Sequence, residues 1–305
     1  MISIYSNFFD ESTDIVINWI HSFGNFFFRC NEFSVNEYDR IISQINNNEN
    51  KSVWYRKINL IPPKGNGKIL SSLGNEIDRH CFKELVAIYF SFIDNYCEKK
   101  LGSFENINYN KIKILSIARL IGFSTPATII VNKKRDLIEF NKLYPHLITK
   151  CASDAEMYSI DNIRFAMYTS TLSTVFINDL PEYFFPSLVQ EQIDKDFELR
   201  VFYLDGICYS MAIFSQVDTQ TSIDYRNYNL NNPNRTVPFN LPSSINEKIN
   251  KLMTLLKFNT GSLDFIVSKE GVFYFLEVNP VGQFNNLSVS CNYQLEKKIA
   301  QWLIK

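Results

Sequence analysis

Apolar residues along this chain first recur at helical spacing between short apolar runs, and past Ser187 they switch to the every-second-residue alternation of strands. The N-terminal portion reads as a strand-like Ile2 to Tyr5, a helical pattern from Ile15 to Phe23, a strand-like Asn25 to Cys30 and another from Val53 to Ile58. That alternation predicts a small sheet flanked by helices. A long amphipathic helix is expected over about Glu76 to Lys99. A second is expected over Asn110 to Ile121, where Ile114, Ala118 and Ile121 share a face and Gly122 follows as a C-cap. Pro126 leads into a strand Ala127 to Val131, and Leu147 to Lys150 is another. Cys151 to Leu180 is polar and rich in Thr and Ser, with strand-like Ser173 to Ile177, and reads as a hairpin or lid rather than core.

The later β signal is strong. Leu188 to Ile193 is one strand, and Glu198 to Leu204 with Ile207 to Phe214 forms a hairpin turned by Asp205 and Gly206. Gln216 to Pro242 is long and irregular, a length more often functional than not. Ile245 to Leu256 and Tyr293 to Ile304 read as helices, and there is no internal repeat. Asn46 to Lys51 is polar and turn-like. Pro62 to Lys68 contains Gly65, Asn66, Gly67 and Lys68, but the spacing is not that of a phosphate-binding loop, and no Ser or Thr follows the lysine.

The densest chemistry lies in Thr260 to Ile266 followed by Tyr274 to Asn279, two apolar β-prone runs separated by Lys269, Glu270 and Gly271. Strand alternation places Glu277 and Asn279 on one face, and a two-residue loop at Glu270 and Gly271 sets Asp264 opposite Glu277 on that face. Facing carboxylates are costly without a cation between them, and an all-oxygen set suits Mg²⁺ on a nucleotide's phosphates. A solvent-facing polar stripe is the alternative.

Composition narrows the field. A chain of 305 residues with 46% hydrophobic content can build two or three domains with real cores. The net charge of -1 removes the strong electrostatic argument for nucleic acid or an anionic membrane as partner, short of a local basic patch. The first residues lack the basic-then-apolar order of a signal peptide, and no apolar run is long enough to span a bilayer, so a cytoplasmic enzyme is expected. Six scattered cysteines and three distant histidines indicate neither a zinc site nor a disulfide framework.

The order of these parts resembles the ATP-grasp superfamily over nearly the whole chain. The resemblance implies a mixed α+β and α/β fold: an N-terminal pre-ATP-grasp α/β domain at 1–108, a central lid domain at 109–195 and a C-terminal antiparallel-sheet domain at 196–305. Asn110 and Lys111, then Gly122 to Thr128, look like the start of the central domain, where a lysine reaches the nucleotide phosphates. Lys150 matches the family's second lysine, on phosphate and the purine edge. Gln190, Glu191, Gln192 and Ile193 look like the hinge strand whose backbone holds adenine, Glu198 matches the ribose-binding acid, and Asp264, Glu277 and Asn279 match the metal ligands. Further stretches resemble the graspetide ligases, the microviridin-type macrocyclases, and most closely the grasp-with-spasm peptide maturases. These are Phe184 to Ser187, Glu198 to Tyr203, Tyr209 to Gln216, Asp224 to Arg226, Asn234 and Arg235, Val281 to Phe284, and Cys291 to Tyr293.

That resemblance implies an ATP- and Mg²⁺-dependent enzyme. It would activate Asp or Glu side chains of a ribosomally made precursor peptide, leader plus core, and close ester or amide rings with Ser, Thr or Lys side chains. Homodimerisation is implied by the resemblance alone. An acyl-phosphate route disperses negative charge, which calls for fixed cations around the reacting centre. Arg200 and Arg226 are the candidates alongside Lys150, since a guanidinium presents a planar donor fork and stays protonated. The alternative for Arg200 is an exposed strand residue, and for Arg226 a loop ion pair. Arg235 is a candidate for holding the peptide's acidic side chain, and Asp224 is either a general base or the ion-pair partner of Arg226. Tyr225 and Tyr228 are candidate anchors for a peptide leader. A simpler carboxylate–amine ligase of the same fold, and a non-catalytic nucleotide-binding protein, are the competing readings.

Overall fold

The computed structural model describes residues 1–33, 43, 52–56, 58–60, 71–103, 110–152, 157–160, 163–216, 218, 221, 223–224 and 229–305. The polar stretch Asn46 to Lys51 and the loop Pro62 to Lys68 lie outside them, as do Tyr225, Arg226 and Tyr228. The chain divides into two compact units, one of residues 1–108, 258–261 and 280–305, the other of residues 109–257 and 262–279.

The first unit is built on a parallel sheet of β1 (Ile2–Tyr5), β2 (Phe27–Cys30), β4 (Ser52–Tyr55) and β6 (Lys99–Leu101), in the order β2-β1-β4-β6. All four residues of β1 and of β4 are buried, as expected of central parallel strands covered on both faces. Helices α1 (Glu11–Ser22), α2 (Ser71–Tyr96), α7 (Asn285–Ser290) and α8 (Leu295–Ile304) accompany the sheet, with a short pair β3 (Glu32–Phe33) and β5 (Asn59–Leu60). The core packs Tyr5, Phe28, Val53, Tyr55, Val86 and Phe90. Asp10 caps α1 by accepting from the Thr13 amide, and its other oxygen takes the buried Arg56 guanidinium at 2.9 Å.

Among its described residues, the second unit carries a four-stranded and a five-stranded sheet besides a two-stranded hairpin. One has the order β11-β8-β12-β7, from β7 (Thr128–Lys133), β8 (Leu147–Lys150), β11 (Ser170–Leu172) and β12 (Tyr183–Glu191). It buries Val131, Leu147 and Val189 against Leu137 of α4 (Lys134–Leu143) and Ile177 of α5 (Thr174–Asp179). The other has the order β15-β14-β13-β16-β17, from β13 (Lys195–Leu204), β14 (Ile207–Phe214), β15 (Arg235–Pro238), β16 (Thr260–Ser268) and β17 (Phe273–Asn279). Phe123, Phe265 and Phe275 meet at centroid distances of 5.5–5.6 Å behind this sheet. The amide of Phe275 donates to the Ser124 carbonyl at 2.8 Å, fastening the segment after α3 (Lys111–Leu120) to β17. Helix α6 (Ser243–Leu256) buries Ile245, Ile249, Leu252 and Met253.

Several expectations need correction. Ser173 to Ile177 is no strand: the Ser173 hydroxyl accepts from the Phe176 amide and starts α5, a cap that overrides the β-branched residues after it. The long segment Gln216 to Pro242 contains β15, which pairs antiparallel with β14. Helix α4, the short helix α7 and strand β6 were not foreseen. The polar segment after Lys150 does hold an antiparallel hairpin, β9 (Met157–Ile160) with β10 (Ile163–Ala166). Asp205 and Gly206 turn the β13–β14 hairpin as expected, both at positive φ. No helix among the described residues is long and apolar enough to cross a membrane.

Candidate functional site

The hairpin β16–β17 delivers the expected face by a different route. Its turn has three residues, not two: the Gly271 amide donates to the Ser268 carbonyl, Ser268 pairs with Val272 across Lys269, Glu270 and Gly271, and Gly271 sits at φ +77°. That register, carried on unbroken, would set Asp264 against Leu276. A β-bulge intervenes, because Phe265 pairs with Phe275 whereas Asp264 pairs with Glu277, leaving Leu276 as the extra residue. The bulge rephases the strand: Phe275 and Val278 are buried, while Leu276, Glu277 and Asn279 are only partly so. Asp264 therefore stands opposite Glu277, and Asn279 opposite Ser262.

Both carboxylates already hold a cation. Nη1 of Arg200, on β13, lies 3.1 and 3.4 Å from the two oxygens of Asp264. Lys111, the first residue of α3, places Nζ 3.2 Å from Glu277 Oε2. Asn110 fixes the start of that helix by accepting from the Lys113 amide at 3.0 Å. Two negative charges are thus balanced by two positive ones in surroundings where all four side chains are less than one-fifth exposed. The repulsion that the sequence assigns to a metal is relieved here by side chains of the protein itself. Among the described residues, no three His, Cys, Asp or Glu side chains gather as a metal cluster. A hard cation would take Asp264 and Glu277 and complete its shell with amide, ligand or water oxygen.

Asp264 and Glu277 border a cavity that opens to solvent. Glu198, Asp264, Ile266, Leu276 and Glu277 line it from the five-stranded sheet; Ile148, Lys150, Gln190, Glu191 and Ile193 line it from β8, β12 and the residues just after. Aliphatic side chains (Ile148, Ile193, Ile223, Ile266 and Leu276) interleaved with charged ones suit a ligand that is part aromatic and part charged. Gln190 is buried and donates from Nε2 to Thr128 Oγ1 at 2.8 Å, while its Oε1 has no partner among the described residues. Glu191 accepts from the Ala127 amide at 2.8 Å, tying the end of β12 to the start of β7. Lys150, at the end of β8, also borders a smaller recess with Lys111, Cys151, Tyr168 and Glu277. Asp224 is buried, lines the cavity and accepts from the Thr169 amide at 3.2 Å.

Glu198 is buried and shares Oε1 between the Lys195 ammonium and Ser215 Oγ, the latter at 2.8 Å. Burial pushes its carboxyl above the ordinary range, against the pull of Lys195 and Ser215. Lys195 was missed in the sequence, since strand alternation puts residues three apart on opposite faces and no periodicity pairs it with Glu198. Arg235 stands apart. It is exposed on β15 with its guanidinium 5.1 Å above the Phe214 ring and does not line the cavity. The structure thus gathers Lys111, Lys150, Gln190, Glu191, Ile193, Glu198, Arg200, Asp224, Asp264 and Glu277, with Asn279 farther along the same strand face. Arg226 lies outside the described residues.

No family model matches the chain, and no curated protein does. Solved structures match along almost its full length. Macrocyclase MdnC of Microcystis aeruginosa MRC, bound with precursor peptide MdnA, is 23% identical at a TM-score of 0.75, covering 99% of both chains. A RiPP-associated ATP-grasp ligase of Chryseobacterium gregarium, in complex with ADP and a leader and core peptide, is 22% identical at a TM-score of 0.76, covering 99% of this chain and 94% of that one. ATP-grasp ligase PsnB, complexed with minimal precursor, Mg and ADP, is 14% identical at a TM-score of 0.74, covering 99% and 96%. The architecture, mixed α/β with parallel and antiparallel sheets, is the ATP-grasp fold.

Proposed function

We propose that this protein is an ATP- and Mg²⁺-dependent ligase that closes ester or amide macrocycles on a ribosomally made precursor peptide. The carrying observation is the pair Asp264 and Glu277, set face to face at one cavity and flanked by Arg200, Lys111 and Lys150. Three solved structures of this fold, each of a ligase or macrocyclase with a precursor or leader and core peptide bound, support the reading.

In this reading the adenine lies against Gln190, Glu191 and Ile193, and Lys150 and Lys111 meet the phosphates. A side-chain carboxylate of the peptide attacks the terminal phosphorus, the bond to the ADP oxygen breaks, and an acyl phosphate forms. A hydroxyl or amine of the same peptide then attacks the acyl carbon, releasing inorganic phosphate and closing the ring with net loss of one water. Arg200 holds the oxygens on which charge accumulates in both steps, and Arg226 is assigned the same duty. Asp264, Glu277 and Asn279 would hold Mg²⁺, which supplies charge neutralisation at the phosphates when bound. No side chain of the protein needs to become covalently linked; the enzyme contributes placement and fixed charge. Asp224 and Arg235 are assigned to the peptide's polar side chains. The three-part division at 108/109 and 195/196, a homodimeric assembly and a cytoplasmic location belong to the same proposal.

The test is an intact-mass assay with ATP, Mg²⁺ and any Thr/Ser- and Asp/Glu-rich peptide found encoded beside the gene. Loss of whole waters with matching ADP release is expected. Mass gain only when a free amino acid or amine is supplied would instead mark a simple carboxylate–amine ligase. E277Q is expected to lower turnover by at least about a hundredfold, and survival of product formation in that variant would sink the metal assignment.

A further inference from the structure

One buried cation beside the cavity has no part in the chemistry above. Lys195 is only 6% exposed, and its ammonium pairs with Glu198 Oε1. The same oxygen accepts from Ser215 Oγ at 2.8 Å, and Lys195 also reaches the Ile223 carbonyl at 3.5 Å. Both donors thus grip one oxygen of the carboxylate. Oε2 accepts no hydrogen bond among the described residues, although Glu198 lines the cavity. A carboxylate held this way cannot turn about its terminal bond without losing both donors, so its second oxygen has a fixed direction.

We propose that Lys195 and Ser215 are positioning residues that hold Glu198 so that its Oε2 accepts a hydrogen bond from a ribose hydroxyl of the bound nucleotide. An ionised carboxylate is acceptor-only and matches the hydroxyl donors of a vicinal diol. Charge on the acceptor makes that bond stronger than a neutral one. Burial alone favours a neutral Glu198 that would be free to rotate and donate; the ammonium three residues away opposes that change. Ser215 is wholly buried, just past the end of the strand paired with that of Glu198, and adds a neutral second restraint on the same oxygen.

This inference rests on the nucleotide reading of the cavity, and its test separates the two. Calorimetric titration of the full chain with ADP, 2′-deoxy-ADP and 3′-deoxy-ADP, each with Mg²⁺, reads the worth of each ribose hydroxyl directly. The native protein is expected to bind at least one deoxy nucleotide about tenfold more weakly than ADP, the value of one charge-assisted hydrogen bond. K195M and E198Q are each expected to lose most of that discrimination while deoxy-nucleotide affinity stays within about threefold, and the double variant to lose no more than either single one. K195R keeps it. S215A, a small change that serves if K195M does not fold, is expected to lower discrimination by about threefold. Equal weakening of all three nucleotides in K195M, or native protein that does not discriminate among them, overturns the positioning role and leaves the cavity a nucleotide site. Failure of ADP itself to bind the native protein overturns the nucleotide reading as well.

Discussion

Arg200 and Lys111 determine what Asp264 and Glu277 do before any ligand arrives. Each carboxylate sits within 3.1–3.2 Å of its own cation, so the four side chains together carry no net charge. A free divalent cation approaching that group is opposed by two fixed positive charges at short range. Under the proposed function a nucleotide would change the balance, because its phosphates would give Lys111 and Arg200 new partners and leave the carboxylates to the metal. Metal and nucleotide are therefore expected to bind together rather than in sequence. Replacing Lys111 tests this at a single residue. K111M removes the ammonium held 3.2 Å from Glu277 Oε2, so Mn²⁺ binding in the absence of nucleotide, followed by electron paramagnetic resonance, is expected to tighten about tenfold, while ADP affinity falls. Unchanged or weaker Mn²⁺ binding would show that Lys111 does not compete with the metal.

The hairpin β16–β17 shows how an element can be read correctly for an incomplete reason. Alternation along Asp264, Glu277 and Asn279 was visible in the sequence, and a two-residue turn brings the carboxylates face to face. The real turn is one residue longer at Lys269, and the bulge at Leu276 takes up the difference. No local signal marks that bulge; it is imposed by Phe275 and Val278, which must both face the core although three residues apart. Ser173 misled in the opposite way, since a capping hydroxyl fixed a helix where β-branched residues predicted a strand. Lys195 was invisible because its partner lies on the wrong parity for any strand argument. Gly271 gives the turn a measurable signature. Its φ of +77° is strained for any residue with a Cβ, yet a Cβ there would meet nothing within 4 Å, so the cost of G271A is purely backbone. A loss of about 1 kcal/mol in stability, seen as a melting temperature lowered by a few degrees, is expected without change in nucleotide affinity.

At the scale of the molecule, the first unit is assembled from remote parts of the chain, and a buried arginine is its junction. Arg56 pairs with Asp10 at 2.9 Å, with both side chains 3% exposed. It also donates to the carbonyls of Val281 and Gly282 at 2.9 and 2.7 Å, reaches Gln283 Oε1 at 2.8 Å, and lies 5.0 Å from the Phe284 ring. Strand β4, the start of α1 and the segment after β17 are thereby fastened by one side chain. Sequence pattern could not show this, because the partners are 46 and more than 220 positions apart. Removing one member of a buried pair leaves the other charge without compensation, at a cost of roughly 3–5 kcal/mol. R56M is expected to destabilise the first unit by that much, and D10N/R56M by less than R56M alone, since the second change removes the stranded charge. The readout is already in place: Trp19, Trp54 and Trp302, the three tryptophans of the chain, all belong to this unit. Urea unfolding followed by tryptophan fluorescence therefore reports it alone. A midpoint in R56M that matches the native protein would show that the main-chain packing, not the arginine, joins the segments. A double variant as unstable as R56M would place the loss in the bonds to Val281, Gly282 and Gln283 rather than in the unpaired Asp10.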